Sequence, residues 1–289
     1  MKSIQWCKAT NKGAAMLKLA HQFQSEVLFQ DDYLRWFFDD SVVRSLQQNP
    51  LEIEGEPQDE TAKFQQIAYW YVILREKYGD GVIEAAIASG CRQVVLLGSG
   101  YDTRFFRLPS IQQNSIKVFE VDLPETIQDK EKCLIQQLGE IPENLFLIPL
   151  NLSNESLDNL ARLGWDSTVA TVYLWQGVSY YLTQNSVSQL LDYIKTKMTQ
   201  TSIFAFDCCS PLMTFKNEVI PGIASNIDHL TGIGEPYQFG MEGEEMKDWL
   251  AEKGFQDIQI LQQADLEENF LHRRTLPDRM WYVVRAGVG

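Results

Sequence analysis

Histidine is scarce in this chain, cysteine is unpaired in pattern, and no long apolar run or surplus of positive charge is present. The five cysteines, Cys7, Cys91, Cys133, Cys208 and Cys209, are odd in number and none falls in a C-x-x-C pair. A disulfide framework and a zinc site are therefore not expected, and reduced thiols in a cytoplasmic protein are. The opening MKSIQWCKATNKGAAMLKLA lacks the unbroken apolar core of a secretion signal. No stretch approaches the roughly 18 apolar residues that cross a bilayer, so no membrane partner is expected. A formal net charge of -14 argues against nucleic acid, whose phosphates need a basic face. The G-x-x-x-x-G-K-[ST] pattern is absent, which excludes a P-loop.

What is present is an ordinary globular composition: 289 residues, 45% hydrophobic and 22% charged, enough for one large α/β domain or two modest ones. The organising stretch is VVLLGSGYDTRFFR, Val94 to Arg107. Four apolar residues, Val94 to Leu97, suit a strand covered on both faces. Gly98 and Gly100 then permit a tight turn and a close approach of backbone to a ligand. Asp102 and Thr103 place side-chain oxygens at the mouth of that turn. A second strand, Lys117 to Asp122, ends in an acid 22 residues past Gly100. That is about the interval, roughly 20 residues, at which a carboxylate meets a ribose diol.

Further strands are predicted at Leu145–Leu150, Thr168–Trp175, Ser202–Phe206, Ile258–Leu261 and Met280–Arg285, with helices over Val187–Lys197 and Met246–Gly254. Strands alternating with crossover segments predict a doubly wound, mostly parallel α/β sheet. The first 78 residues read as a mostly helical lid or substrate cap, and residues 79–289 as a Rossmann-like core. Within the lid, DDYLRWFFDD (Asp31–Asp40) reads as a core-packing helix or as aromatics over an apolar substrate. LEIEGEPQDE (Leu51–Glu60) reads as an acidic connection, and one or two helices follow over Phe64–Ala88. Residues 211–241, rich in glycine and proline and without a period, read as an insertion or active-site loop.

The turn G-S-G-Y-D-T carries Thr103 where a dinucleotide fingerprint has its third glycine, which weakens a nicotinamide or flavin reading. A glycine turn without a pyrophosphate cradle, followed by a ribose-binding acid, fits S-adenosylmethionine. The motifs VVLLGSGYDTRFFRL, FEVDLP, LNLSN, LWQGVSYYL and TGIGEPYQFGMEGEEMKDWLAEKGF together resemble the leucine carboxyl methyltransferase family, including its bacterial polyketide-type O-methyltransferases. The resemblance implies a seven-stranded class I methyltransferase sheet with a helical N-terminal lid. It implies S-adenosyl-L-methionine as cofactor and S-adenosyl-L-homocysteine as product. Carried over by position, it assigns Arg75 to the methionine carboxylate and Gly98, Ser99 and Gly100 to the methionine portion, with Asp102 beside them. It places Asp122 on the ribose with Leu123 next to it, Asn151 and Leu152 at the adenine, and Gln176 near the amino end. Asn151 and Gln176 are amides where the family commonly has carboxylates, so they lack charge assistance. Lys18 is a candidate for the basic residue that some relatives place near that amino end.

The activity so implied is O-methylation of a hydroxyl or carboxylate on a small molecule of secondary metabolism. A protein C-terminal carboxylate is an alternative acceptor, and an inactive S-adenosylmethionine-binding protein an alternative role. A carboxylate acceptor needs no base, whereas a hydroxyl benefits from one. Among the three histidines, His229 is the best-placed base, with a structural loop histidine as its plain alternative; His21 and His272 are weaker. Asp207, at the end of the fifth strand, reads equally as a catalytic carboxylate or a cap of the following turn. Tyr180 and Tyr181 read as helix packing or as substrate contacts. The oligomeric state is left open.

Overall fold

Val94 to Leu97 and Val172 to Trp175 carry no charged side chain and are mostly apolar on both sides, so their strands are stable only where both faces are covered. A computed structural model describes residues 10–53 and 55–289 and places them so. The reading of Cys7, that of the opening nine residues and that of Glu54 lie outside the described residues. In chain order the elements are α1 (Thr10–His21), a 3-10 turn at Leu34–Phe37, α2 (Asp40–Gln48) and α3 (Glu60–Ala88). They continue with β1 (Gln93–Leu97), α4 (Arg104–Arg107), α5 (Pro109–Gln113), β2 (Lys117–Asp122), α6 (Pro124–Leu138) and β3 (Leu145–Pro149). Then come β4 (Thr171–Trp175), α7 (Gln184–Lys197), β5 (Ile203–Cys209), α8 (Ile223–Gly232), α9 (Gly243–Glu252), β6 (Gln256–Gln262), α10 (Gln263–Leu271) and β7 (Trp281–Gly287).

The seven strands form one sheet in the order β3-β2-β1-β4-β5-β7-β6. All pairs are parallel except those made by β7, which runs against both β5 and β6. This is the class I methyltransferase fold, with helices on both faces. Alternation along each strand divides the core into two layers. Val95, Phe119, Tyr173, Trp175 and Phe204 pack with Leu190 and Leu191 of α7 and Leu250 of α9. Val94, Leu96, Val118, Val172 and Leu174 pack with Ala86 and Ile87 of α3 and with Phe105. The strand order reverses between β1 and β4. Leu97 pairs with both Val121 and Trp175, so the carboxyl ends of β2, β1 and β4 are level at the point where open α/β sheets hold their ligands.

The one or two helices expected over Phe64–Ala88 are a single helix, α3, which runs 29 residues from an Asp59 N-cap that accepts from Ala62 N at 2.8 Å. Gly79 does not break it. A Cβ there would come within 2.8 Å of both Arg104 Nη2 and Gln176 Oε1, so glycine serves close packing. Asp31–Asp40 is a turn and not a helix. The buried Asp31 carboxylate accepts from Tyr33 and Leu34 N–H and folds the chain into the 3-10 turn. Tyr33 and Trp36 then pack on each other and on Phe106, with ring centroids 4.9–5.5 Å apart, and do not line the central cavity. Residues 211–241 are not wholly irregular, since they hold a 3-10 turn at Pro211–Thr214 and helix α8. At Gly222, φ is +70° and a Cβ would sit 2.3 Å from Glu60 O, so only glycine lets α8 start against the first turn of α3. Among the described residues no helix is long and apolar enough to cross a membrane.

Candidate active site

One cavity of about 570 Å³ lies over the carboxyl ends of β1, β2 and β4, within the ~300–1,000 Å³ usual for small-molecule sites. Its first wall is the glycine turn. Gly98 and Gly100 both have positive φ, +65° and +54°, and a Cβ on Gly98 would meet Val178 Cγ2 at 2.2 Å. The turn is stitched to β2 by Gly98 N–H and Ser99 N–H, which both donate to Val121 O at 2.7 and 3.0 Å. Asp122 then accepts from Gly100 N at 2.6 Å through Oδ2 and from Leu123 N at 2.7 Å through Oδ1. A carboxylate has about four acceptor sites, so each oxygen keeps a lone pair for a vicinal diol. Burial lifts the Asp122 carboxyl above its ordinary pKa against the pull of those two N–H groups. Beside it the cavity is lined by Leu123, Leu150, Asn151 and Leu152. Asn151 Oδ1 is occupied by Ser153 N and Oγ at 2.9 and 2.6 Å, so what Asn151 can still offer is its Nδ2 donor.

Arg75, midway along α3, forms a second wall. Its Nη1 donates to Asp207 Oδ2 at 2.7 Å and to Tyr180 Oη at 2.8 Å. Gly177, with φ +76°, leaves the space; a Cβ there would be 2.7 Å from Arg75 Nη2. Asp207 itself is fully buried and does not line the cavity. It also accepts from Gly177 N at 2.7 Å and Tyr71 Oη at 3.1 Å, which fix the carboxylate that holds the Arg75 guanidinium. Gln176 lines the cavity with both amide ends engaged. Its Nε2 donates to Arg75 O at 2.8 Å and its Oε1 accepts from Arg104 Nη2 at 3.1 Å.

Beneath the turn lies a buried charge network that sequence reasoning passed over. Arg104 pairs with Asp80, Asp102 and Glu76, and Arg107 with Asp80, Glu76 and Asp31. Lys18 joins at 3.4 Å from Glu76, and Lys130 pairs with Glu120 while donating to Asp102 O at 2.6 Å. Burial by itself would raise the Asp102 carboxyl, but Arg104, helped by Lys18 and Lys130, brings it below its ordinary range. Burial lifts Glu120 to about 7 in spite of Lys130. The sequence signal was there: Arg104 and Arg107 follow the glycine turn at once, and Glu76 and Asp80 sit four apart on α3, on one helical face. Thr103 is buried and donates to Asp31, so it supports the turn from behind.

The far pole of the cavity belongs to the cap. Phe64, Ala68, Tyr71 and Val72 form a helical stripe on α3, and Tyr180, Tyr181 and Tyr237 gather beside it. Their ring centroids are 4.6–5.1 Å apart. Asn226 and His229, from α8, also line this pole, and His229 is half-buried. Thr10 N–H at the start of α1 donates to Glu235 Oε2 at 2.9 Å, joining the two covers over the cavity. Asn11 and Lys12 tie α1 to α6 through Thr126 at 3.0 Å and Asp129 at 3.6 Å. Sequence reasoning missed Asn226 and Tyr237 because both lie in the stretch 211–241, which reads as irregular. Among the described residues no cluster of three or more His, Cys, Asp or Glu could hold a metal ion.

The leucine carboxyl methyltransferase family model matches residues 12–195. The chain belongs to that family. A Streptomyces coelicolor protein provisionally named an S-adenosyl-L-methionine-dependent methyltransferase is 28% identical over 222 residues, 76% of each chain. A Streptomyces avermitilis protein with the same provisional description is 29% identical over 222 residues, again 76% of each. The crystal structure of a DUF574-family protein from Streptomyces avermitilis superposes with a TM-score of 0.60 over 96% of this chain and 97% of the other, at 10% identity. That similarity is one of fold. Family and fold make the chain a methyltransferase type whose cofactor is S-adenosylmethionine, and no polyketide-specific branch is singled out. The residues present fit that group: a half-engaged carboxylate for a diol, apolar side chains for a base, and a guanidinium fork for a carboxylate.

Proposed function

We propose that this protein is an S-adenosylmethionine-dependent O-methyltransferase acting on a small molecule, consistent with a cytoplasmic role in secondary metabolism. The observation that carries the reading is the single cavity running from Gly98–Gly100 and Asp122 at one pole to Tyr180, Tyr237 and His229 at the other. At the first pole, Asp122 takes the ribose hydroxyls and Leu123, Asn151 and Leu152 take the adenine. Gly98, Ser99 and Gly100 admit the methionine portion, Asp102 holds Arg104 under it, and Arg75 takes its carboxylate. Gln176, just past β4, ties to α3 through Arg75 O and to α4 through Arg104. Bound there, S-adenosylmethionine supplies an electrophilic methyl group.

The chain's own contribution is position and dryness. Orienting two reactants can contribute roughly 7–11 kcal/mol, and the joined covers of α1 and residues 234–238 exclude water. His229 takes the proton of a hydroxyl acceptor. Asp207, buried behind Arg75, acts as its positioning partner instead of as a base. A cavity covered from both sides favours an acceptor that enters whole over a protein tail. Incubation with S-adenosylmethionine and a library of hydroxyl and carboxylate acceptors, read by mass spectrometry, is expected to yield products heavier by one methylene. His229→Ala is expected to lower turnover of hydroxyl acceptors by about 10²–10⁴-fold, the span of general base catalysis, while carboxylate acceptors are spared. Cofactor binding without transfer to any acceptor would leave the inactive, ligand-binding role instead.

A further inference from the structure

We infer that the acceptor is a planar aromatic hydroxyl compound, a deepening that rests on the O-methyltransferase reading above. The acceptor pole is built from rings on three separate segments: Tyr71 of α3, Tyr180 and Tyr181 after β4, and Tyr237 after α8. These rings are held in place. Tyr71 stacks on Trp281 with centroids 5.1 Å apart and planes 11° from parallel, and Tyr237 lies 4.6 Å from Tyr180 and 5.1 Å from Tyr181. Tyr71 and Tyr180 are buried supports, whereas the partly exposed Tyr181 and Tyr237 present faces and edges to which another ring can stack, an advantage a saturated skeleton of equal area does not gain.

Charge disfavours an anionic acceptor at the same pole. Of the lysines and arginines lining the cavity, Lys18 and Arg104 are paired with Glu76, Asp80 and Asp102 under the cofactor pole, and Arg75 is the residue assigned to the methionine carboxylate, so none is left over for an acceptor anion. The acidic residue at the acceptor pole, Glu235, and the negative faces of the tyrosines both repel a carboxylate. A phenol arrives neutral. Its oxygen forms the bond to the methyl carbon while His229 accepts the hydroxyl proton. The carbon–sulfur bond breaks with its electron pair remaining on sulfur, so sulfonium becomes thioether and the products are an aryl methyl ether and S-adenosylhomocysteine.

The test is calorimetric titration of the full chain saturated with S-adenosylhomocysteine. The probes are 2-naphthol, its saturated analogue decahydro-2-naphthol, and 2-naphthoate. The inference expects 2-naphthol to bind about tenfold or more tightly than either, from two or more ring contacts. Equal or tighter binding of the saturated alcohol or the carboxylate, or no binding of 2-naphthol up to its solubility limit, would overturn it. Tyr237→Phe is expected to keep the naphthol affinity within about twofold, and Tyr237→Leu to lower it about fivefold with S-adenosylhomocysteine affinity unchanged. A Tyr237→Leu loss shared equally by naphthol and its saturated analogue also overturns it. Failure of S-adenosylhomocysteine itself to bind would bring down the methyltransferase reading, a different result.

Discussion

Replacing Asp207 by asparagine keeps the shape of the side chain and removes its charge. The carboxylate is fully buried and accepts from Arg75 Nη1 at 2.7 Å, Gly177 N at 2.7 Å and Tyr71 Oη at 3.1 Å. An amide can still accept through Oδ1, but it turns an NH₂ toward either Arg75 and Tyr71 or Gly177. Arg75 then becomes a buried cation without its counter-charge. Breaking one side of such a pair costs about 3–5 kcal/mol. Urea unfolding followed by circular dichroism, for Asp207→Asn, Arg75→Met and the double variant, measures this directly. The double variant removes both charges, so its loss is expected to fall short of the sum of the single losses by about 2–3 kcal/mol. Single losses below ~1 kcal/mol, or losses that add within ~0.5 kcal/mol, would refute the clamp.

Gly98→Ala forces a side chain at φ +65° into Val178, with a 2.2 Å approach. Strain of about 1–3 kcal/mol is expected, along with a cofactor affinity lowered tenfold or more. Adding Val178→Ala removes the clash but not the φ penalty, so full recovery in calorimetry would contradict the argument. Gln176→Glu replaces the donor to Arg75 O by an acceptor and adds a carboxylate to an Arg104 that already has three. Denaturant unfolding is expected to show a loss of about 1–3 kcal/mol, and a gain would mean that Gln176 is not held as described. His21 is buried, with Nδ1 2.7 Å from Tyr69 Oη and Nε2 accepting from Leu28 N at 3.0 Å, and burial lowers its pKa to about 4 from 6.5. The unfolded chain therefore binds the extra proton between those values. Stability is fully present above about pH 6.5 and falls as pH drops toward 4, by ~3 kcal/mol at most from this group. A stability–pH slope over that window unchanged in His21→Phe would remove His21 as its source.

The parts of the fold that sequence made legible are those where burial leaves one reading. Val94–Leu97 is an apolar run, Val172–Trp175 carries no charge, and each became a central strand. Glycine was the misleading letter. Gly79 and Gly81 are poor helix formers, yet α3 passes through them, and at Gly79 the missing side chain makes room for Arg104 and Gln176. Asp31–Asp40 carries the aromatics of a core helix, but the Asp31 carboxylate competes for the backbone N–H groups and makes a turn. In α8 one face looks into the cavity, which hides an amphipathic period in a glycine- and proline-rich stretch. The wall of the cavity built by Gly98, Gly100 and Asp122 was readable because the turn and the acid stand at a short fixed interval along the chain. The acceptor pole was not, because Phe64, Tyr180, Asn226 and Tyr237 meet only in space.

The central claim is that Asp122, held under the glycine turn, anchors S-adenosylmethionine. Isothermal titration of the wild-type chain and Asp122→Ala with S-adenosylmethionine tests it most directly. The account predicts one-to-one binding by the wild type and a loss of about 100-fold in the variant, from two hydrogen bonds to a charged acceptor at ~1.5 kcal/mol each. Unchanged affinity in Asp122→Ala, or no binding by the wild type at millimolar ligand, would contradict it.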